Sequence, residues 1–287
     1  MSAHDGLVLG DVVDCLSCPH CGGPLGERTG ALRCPAGHCF DVARQGYVTL
    51  LPGAGRGVGG DTAGMVAARD RFLSAGHYAP LTRLLVEAVG SGPGPVVDVG
   101  GGTGQHLSAV LDAHPDRVGV AIDLSRYAAR RAARAHPRAG AVVADAWRAL
   151  PVRTGVAAAV LDVFSPRNGA ETARVLRADG VLVVVTPGQD HLAELVVALG
   201  LLTVDGRKDE RMAAALDPHL DLGDRAEHCW TLSLRHADAV AAVAMGPSAH
   251  HIDAPDLARR VAALPDPVTT TASVAVSRYR PRPAAGR

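Results

Sequence analysis

Aromatic residues are scarce in this sequence, at 3% of 287 residues. Surfaces that bind nucleic-acid bases by stacking need exposed aromatic rings, so composition alone does not indicate such a surface. A net charge is also absent, because 29 Lys and Arg balance 29 Asp and Glu. Without a basic excess, any attraction to phosphate must come from local clusters of arginine.

The chain also lacks long apolar runs. Hydrophobic residues make up 47% of the sequence, yet no stretch reaches the roughly 18 uninterrupted apolar residues that span a bilayer. Residues 1–14 carry acidic side chains where a signal peptide has basic ones, and no export cleavage pattern follows. We therefore expect a soluble, cytoplasmic protein. No internal repeat or heptad array is present, so a solenoid or a coiled coil is not indicated.

Cysteine is nearly absent outside one segment, because five of the six cysteines lie between Cys15 and Cys39. In a reducing compartment such a cluster indicates metal ligation rather than disulfide bonds. Residues 1–50 contain many turn residues and no apolar periodicity, so this segment cannot bury a large core by itself. The 287 residues suffice for one catalytic domain and a small accessory unit of this kind.

Changes in composition predict the domain organisation. The glycine-rich stretch at residues 52–60 indicates a flexible connection. Helical periodicity begins at Asp61 and, after a break at Gly76, continues through Leu85. We predict three parts, namely a metal-binding module at 1–50, a linker with packing helices at 51–90, and a cofactor-binding domain at 91–287.

From Pro95 onward, short apolar runs alternate with helical periods, which indicates βαβ units and an α/β fold with a parallel, doubly wound sheet. We predict strands at Val96–Val99, Val118–Ile122, Ala141–Ala144, Val156–Phe164 and Val181–Val185, with two further candidates at Thr231–Leu234 and Thr269–Val276. Helices are predicted from about Gln105, from Ser125, near Ala170–Leu176 and from about His191.

A glycine-rich turn at residues 98–104, Asp-Val-Gly-Gly-Gly-Thr-Gly, connects the first of these strands to a helix. Glycine lets the backbone turn tightly and approach a ligand, and the helix N-terminus offers free N–H groups. A dinucleotide fold prefers Gly-x-Gly-x-x-Gly, so the spacing argues against NAD. A plain tight turn is the other interpretation. The residues that we expect to bind a cofactor here are Asp98, Gly100, Gly102, Thr103 and Gly104.

Two more acids end the second and third strands. Asp123, followed by Leu124, lies about 20 residues past the loop, where a carboxylate accepts hydrogen bonds from ribose hydroxyls. Asp145, followed by Ala146, is placed to accept a hydrogen bond from the adenine amine. Because ligands bind at the carboxyl ends of strands in open α/β sheets, these acids together with Asp98 predict an adenosyl cofactor. For Asp145, a capping role in the following turn stays open.

Four residues with metal-ligand spacing lie in the cysteine-rich segment, namely Cys18, Cys21, Cys34 and His38. Two thiolates, then twelve residues, then a thiolate and an imidazole predict a closed, tetrahedral structural zinc site. A segment without its own core needs such a site to fold. Cys15 forms a second Cys-x-x-Cys with Cys18, and Cys39 adjoins His38, so both are alternative ligands or bystanders. Reduced cysteines without metal are the remaining alternative.

Seven motifs follow one another along the chain, namely Cys18–Cys21, Phe40–Val48, Met65–Arg69, Gly76–Leu81, Val97–Gly104, Val163–Asn168 and Thr186–Leu195. In these motifs the chain resembles the rRNA large-subunit (guanine-N1) methyltransferase A family, most closely its tylosin-resistance branch. The resemblance implies a Rossmann-like class I methyltransferase fold with a small N-terminal zinc ribbon. It also implies S-adenosyl-L-methionine as the cofactor and a structural Zn²⁺.

The resemblance also implies a reaction and a partner. Members methylate N1 of a guanine in the hairpin 35 loop of 23S rRNA, and in this branch the modification contributes to resistance against tylosin-type macrolides. The zinc ribbon at residues 1–50 is then an RNA-recognition module, and a homodimer is suggested. The family's cofactor contacts carry over onto Tyr78, Gly102, Thr103 and His191 of this sequence.

Methylation of guanine N1 requires the loss of a proton, so a nearby carboxylate or imidazole assists the reaction. Asp162 and His191 are the candidate catalytic residues. Relatives usually carry a different polar residue at the position of Asp162 and alanine at that of Ser165, so the candidacy of Asp162 rests on chemistry alone. Phe164 is a candidate to stack on the looped guanine, with a place in the core as the alternative.

Five arginines lie on the helix after the second strand, namely Arg126, Arg130, Arg131, Arg134 and Arg138. They either neutralise rRNA phosphates or form a solvated helix face. The ribbon arginines Arg28, Arg33 and Arg44 are the stronger candidates for RNA contact. Two other functions stay open, a small-molecule methyltransferase of antibiotic biosynthesis and a zinc-ribbon regulator that binds the cofactor without turnover.

Overall fold

The structure, a computed structural model, describes residues 9–52, 60–201, 208–246, 249 and 252–282. Most of the predicted flexible connection at residues 52–60 therefore lies outside the described residues. Within the described ranges the chain forms a small three-stranded sheet and a large eight-stranded sheet. None of the described helices is long and apolar enough to span a membrane.

The small sheet belongs to the cysteine-rich segment. It is an antiparallel meander of β1 (Gly26–Arg28), β2 (Ala31–Arg33) and β3 (Cys39–Asp41). A two-residue turn joins β1 to β2, and Gly30 at a φ of 75° takes the left-handed position that such turns require. Leu25 and Leu32 are buried, so the meander has only a small apolar core of its own.

The large sheet contains β4 (Tyr47–Thr49), β5 (Val96–Val99), β6 (Gly119–Asp123), β7 (Ala139–Val143), β8 (Ala157–Val163), β9 (Leu176–Pro187), β10 (Leu220–Leu234) and β11 (Val268–Pro281). Their spatial order is β10-β11-β9-β8-β5-β6-β7-β4. Strands β5 to β9 pair in parallel, as the sequence predicts. Strand β4, which the sequence does not predict, pairs in parallel with β7. Strands β10 and β11 depart from the predicted parallel sheet, because they pair antiparallel with each other and β11 pairs antiparallel with β9. An antiparallel edge on a parallel sheet is common in such folds.

Nine described α-helices accompany the sheets, namely α1 (Ala63–Ser74), α2 (Ala79–Ala88), α3 (Gln105–Ala113), α4 (Arg126–Ala132), α5 (Gly169–Val175), α6 (Ala193–Leu199), α7 (Lys208–Leu216), α8 (His236–Ala244) and α9 (Ala254–Ala262). Side-chain caps start several of them. Thr62 accepts a hydrogen bond from the Met65 amide at α1, and Ser125 accepts one from the Ala128 amide at α4. These caps satisfy amides that have no partner within the helix.

The central strand β5 marks the point where the strand order reverses. The chain proceeds from β5 to β6 and β7 on one side and then returns to β8 on the other. In such sheets the reversal leaves a crevice outside the carboxyl ends of the strands. Val99 of β5 is in register with Asp162 of β8. The segments that follow β5, β6 and β8 therefore meet at one edge of the sheet.

The N-terminal segment packs on the large sheet. Leu9, Val12 and Leu16 are fully buried in one apolar cluster with side chains of the central strands. Strand β4 extends the sheet beyond β7. Residues 9–16 and β4 therefore share the core of the large sheet. The cysteine-rich segment has too few apolar residues to bury them by itself.

A substitution at Gly140 of β7 tests the packing of the N-terminal segment on the large sheet. A methyl group there would lie 2.4 Å from Val12 Cγ2 and 3.1 Å from Leu9 Cδ2. We expect Gly140→Ala to lower the free energy of unfolding by about 1–3 kcal/mol, the usual cost of overpacking. Urea unfolding of the full chain measures the change. Gly92→Ala is the matched control, since no atom lies within 4 Å of its added methyl group. Equal unfolding midpoints for the two variants would contradict the proposed packing.

Candidate active site

The glycine-rich loop packs closely against its neighbours. Gly100 and Gly104 have left-handed backbones, with φ of 70° and 78°. A methyl group on Gly100 would lie 2.4 Å from Ser165 Cβ, and one on Gly104 would lie 3.0 Å from Ala132 Cα. Glycine is therefore required here both by the turn and by the approach of the segments after β8 and along α4. The loop ends where the N-terminus of α3 presents its amides.

Asp123 ties the loop to the end of β6. Its Oδ2 atom accepts a hydrogen bond of 2.9 Å from the Gly102 amide, and its Oδ1 atom accepts one of 2.8 Å from the Ser125 amide. Burial raises the pKa of Asp123, and the two hydrogen bonds oppose that rise. Each oxygen keeps a lone pair for a further donor, so the carboxylate fits the predicted ribose contact.

Two buried acids, Asp98 and Asp162, lie next to the glycine-rich loop. Asp98 and Asp162 have relative exposures of 2% and 4%. Burial, and then the charges of Asp123 and Asp162, raise the pKa of Asp98 to about 7. Burial likewise raises the pKa of Asp162 to about 7, while the Arg167 charge and hydrogen bonding from Ser165 lower it. The acids at the carboxyl ends of β5, β6 and β8 therefore share one region, where their charges disfavour simultaneous ionisation.

Asp145 takes the capping role that the sequence leaves open. Its Oδ1 atom accepts a hydrogen bond of 2.9 Å from the Trp147 amide, and Arg148 lies 3.4 Å from its Oδ2 atom. A second contact holds this turn after β7, because Asn168 Nδ2 donates to the Ala146 carbonyl at 3.2 Å. The adenine contact of Asp145 and Ala146 stays a prediction. Leu124 lies beside the site at the end of β6, half-buried.

Tyr78 and His191 form a hydrogen-bonded pair near the crevice. His191 Nδ1 lies 2.7 Å from the Ser273 carbonyl, and its Nε2 lies 2.9 Å from the Tyr78 hydroxyl. Donation from Nδ1 to the carbonyl leaves Nε2 to accept from Tyr78. Burial raises the pKa of Tyr78, so this hydroxyl stays protonated. With both ring nitrogens engaged, His191 is better placed to orient Tyr78 than to remove a proton.

Phe164 follows β8 with a left-handed backbone at a φ of 54°. Its side chain is 40% exposed, and its ring centroid lies 5.7 Å from that of His191 and 6.2 Å from that of Tyr78. A left-handed backbone is strained for an aromatic residue, and residues strained in this way cluster at active sites and ligand-binding segments. A place in the core, the alternative from the sequence, does not fit this exposure.

Three contacts at the site are not predicted by any pattern in the sequence. Arg69 of α1 forms an ion pair with Asp61 and lies against Gly102 of the loop. The Asp61 carbonyl accepts a hydrogen bond of 2.6 Å from the Ser125 hydroxyl. Arg167 lies 3.9 Å from Asp162. These pairs are distant in sequence or lack a fixed spacing, so no local pattern indicates them.

The predicted metal ligands Cys18, Cys21, Cys34 and His38 come together in the ribbon, with their ligand atoms all within 4.8 Å of one another. The sulfurs of Cys21 and Cys34 are 3.7 Å apart, and His38 Nδ1 lies 3.3 Å from Cys34 Sγ and 3.5 Å from Cys18 Sγ. Zn–S bonds of about 2.3 Å in a tetrahedron place sulfurs about 3.8 Å apart. The donor set and its spacing therefore fit a structural Zn²⁺.

The two remaining ribbon cysteines lie outside this cluster. Cys15 is buried in the apolar core, and burial raises the pKa of its thiol to about 11. Cys39 is exposed on β3. Neither thiol contributes to the group of four.

Comparison with known proteins gives the family. Residues 16–55 match the family model of the RlmA N-terminal zinc ribbon. A protein of Micromonospora griseorubida, provisionally named a 23S rRNA (guanine-N(1)-)-methyltransferase, is 51% identical over 292 residues, which cover 94% of this chain and 99% of the relative. The 23S rRNA (guanine(748)-N(1))-methyltransferase of Streptomyces fradiae is 51% identical over 278 residues, covering 95% and 99%. The chain belongs to the 23S rRNA (guanine-N1)-methyltransferase family.

This membership confirms the resemblance seen in the motifs, the α/β fold with its N-terminal zinc ribbon, and the enzyme class. S-adenosyl-L-methionine and zinc are the cofactors that the methyltransferase family and its ribbon imply. Among solved structures, the chain is similar to the geranyl diphosphate C-methyltransferase of Streptomyces coelicolor A3(2). That match has 14% identity and a TM-score of 0.43, and it covers 70% of this chain and 76% of the other.

The zinc ligand set predicts that removing the thiol of Cys34 and removing that of Cys39 have different effects on the amount of bound zinc. Cys34→Ala removes a ligand, so bound zinc should fall from about one equivalent per chain to a small fraction. The thermal unfolding temperature should fall with it, because ribbon residues share the core of the large sheet. Cys39→Ala is the matched control and should keep its zinc. Metal analysis of the purified full chain measures both variants, and zinc loss in Cys39→Ala alone would overturn the ligand set.

Proposed function

We propose that this protein transfers the methyl group of S-adenosyl-L-methionine to N1 of a guanine in 23S rRNA. The observation that carries the proposal is 51% identity over nearly the full length of two relatives whose names give this reaction. The Streptomyces fradiae name specifies guanine 748, and we propose the equivalent guanine here, in the hairpin 35 loop. Tylosin-type macrolide resistance is the expected consequence.

The cofactor supplies an electrophilic methyl group, and the protein has to position it and the guanine. We propose that Asp123 binds the ribose hydroxyls and that Asp145 and Ala146 bind the adenine. The loop Gly100–Gly104, with Asp98 beneath it and Tyr78 and His191 beside it, holds the rest of the molecule. This arrangement is supported by the left-handed glycines and by the free lone pairs of Asp123.

We propose Asp162 as the base that receives the N1 proton. It lies at the end of β8, level with Val99 and next to the glycine loop. A carboxyl with a pKa of about 7 is ionised in a large fraction near neutral pH and is a stronger base than an ordinary aspartate. His191 is the weaker candidate, because the Ser273 carbonyl and the Tyr78 hydroxyl already engage its two nitrogens.

We propose that residues 1–50 act as the RNA-recognition module, 51–90 as the linker with packing helices, and 91–287 as the methyltransferase domain. The ribbon arginines Arg28, Arg33 and Arg44 are exposed and fit phosphate contacts. Two of the five arginines that follow β6 serve the fold instead, namely Arg131 on α4 and Arg138, which lies beyond the end of α4 at Ala132. Arg131 pairs with Asp70 at 2.7 Å, and Arg138 donates to backbone carbonyls that include those of His114 and Pro115.

The family resemblance also carries the proposals of a homodimer and of a cytoplasmic location. Sedimentation of the full chain gives the mass of the particle in solution and so tests whether it is a homodimer.

The proposed reaction predicts where a methyl group appears. Incubation of unmodified 23S rRNA with the full chain and tritiated S-adenosyl-L-methionine should label the RNA. N1 methylation blocks Watson–Crick pairing, so reverse transcription should stop at one guanine in hairpin 35. A heat-denatured enzyme is the blank. If neither the RNA nor its fragments take up label, the function is a different one, either a small-molecule methyltransferase or a regulator without turnover.

The role of Asp162 predicts both a variant effect and a pH profile. Asp162→Asn should slow single-turnover methyl transfer by at least about a hundredfold, the usual contribution of a general base. In the wild type the raised pKa keeps the carboxyl protonated below pH of about 7. The rate should therefore fall as the pH falls through that value.

Asp221→Asn is the control for Asp162→Asn, because Asp221 is an exposed residue of β10 that pairs with Arg282. It should retain the wild-type rate and profile. A wild-type rate in Asp162→Asn would remove Asp162 as the base.

A further inference from the structure

Arg167 carries hydrogen-bond donors that nothing in the described structure satisfies. Its side chain is 16% exposed, and its Nε and Nη2 atoms are buried without a hydrogen-bond partner. Asp162 Oδ1, 3.9 Å from Nε, is also buried without a hydrogen bond. The two charges therefore face each other across a distance that is too long for a hydrogen bond.

A buried charge without hydrogen bonds destabilises the folded protein. Another buried arginine shows what a structural role looks like. Arg117 is 2% exposed, and its guanidinium donates to the carbonyls of Gly90 and Gly92 at 3.0 Å and 2.7 Å. Arg167 has no such set of acceptors, so its donors fit an acceptor that comes from outside the chain.

The substrate supplies a matching pattern. The edge of guanine offers the O6 acceptor beside the N1–H donor. A carboxylate facing N1–H and a guanidinium facing O6 complement that edge. Asp162 and Arg167 present this combination on the segment that also contains Phe164.

We propose that Arg167 donates hydrogen bonds to O6 of the target guanine while Asp162 receives the N1 proton. The inference rests on the proposed function and extends it to recognition of the base. The N1–H bond breaks and its proton goes to the Asp162 carboxylate. The N1 electron pair forms the bond to the methyl carbon, and the carbon–sulfur pair returns to sulfur. Negative charge that develops on O6 as the proton leaves is stabilised by Arg167.

This contact also explains selection of guanine. Adenine carries an amino group at the position of O6, and that group donates hydrogen bonds. Two donors would then face each other in a buried site, which costs more than the loss of one hydrogen bond. The segment from Phe164 to Arg167 has to open when a base enters, because the Arg167 donors are covered in the structure.

The test changes both partners of the proposed contact, the O6 atom of the base and the side chain of Arg167. Hairpin 35 RNA is prepared with guanosine or with 6-thioguanosine at the target position, since sulfur is a weaker acceptor than oxygen. Single-turnover rates are measured at pH 8.5 for the wild type, Arg167→Gln and Arg167→Lys, so that Asp162 stays ionised. The control is Arg177→Gln, because Arg177 pairs with Asp179 away from the site. Cofactor affinity and the urea unfolding midpoint are recorded for each protein.

We expect Arg167→Gln to slow methylation of the guanosine RNA by about ten- to a hundredfold, the range for a hydrogen bond to a charged group. The wild type should prefer guanosine to 6-thioguanosine by about tenfold, and Arg167→Gln should lose that preference. Arg167→Lys should keep part of both effects, and it serves if the glutamine variant does not fold. Arg177→Gln should behave as the wild type.

Two results would overturn the contact with O6. One is a slow Arg167→Gln variant that keeps the full preference for guanosine, which would make Arg167 a positioning residue for Asp162. The other is an unchanged rate in that variant. If the wild type labels neither RNA, the proposed function fails and this inference fails with it.

Discussion

The site depends on one close approach, that of the glycine loop to the segments after β8 and along α4. Side chains at Gly100 or Gly104 would collide with Ser165 or Ala132. Asp123 fixes this approach, because its carboxylate holds the Gly102 amide and the start of α4 together. The order of strands around β5 brings these segments to one edge, so the cofactor crevice and the proposed base share a single rigid frame.

The zinc ribbon and the large sheet are not independent units. Leu9, Val12 and Leu16 contribute to the core of the large sheet, and Cys18 and Cys34 belong to the same apolar cluster. A metal that holds the ribbon together thereby also fixes apolar side chains under the sheet. This coupling fixes the position of the ribbon against the large sheet.

Local patterns in the sequence predict local structure well. The strand Val96–Val99 has the predicted bounds, Ser125 caps its helix, and the four predicted metal ligands lie together. The pairing of strands that are distant in the sequence is harder to predict. Strand β10 begins at Leu220, well before the predicted Thr231, because its first half is an exposed edge without apolar alternation and is held by its ladder with β11. The pairing of β4 with β7 likewise has no local signal.

Arg167 shows why function is harder to predict than fold. Its position in the sequence does not distinguish it from Arg117 or Arg138, whose donors are satisfied by backbone carbonyls and which stabilise turns. Only the surroundings of the guanidinium reveal that its Nε and Nη2 donors lack acceptors and that a carboxylate lies 3.9 Å from Nε. A folded chain retains such a group at a cost in stability, and that cost is offset when a substrate supplies the missing acceptor. The two buried donors of Arg167 that lack a partner are therefore the observation that sets this arginine apart from those that support the fold, and on which the proposed recognition of the base rests.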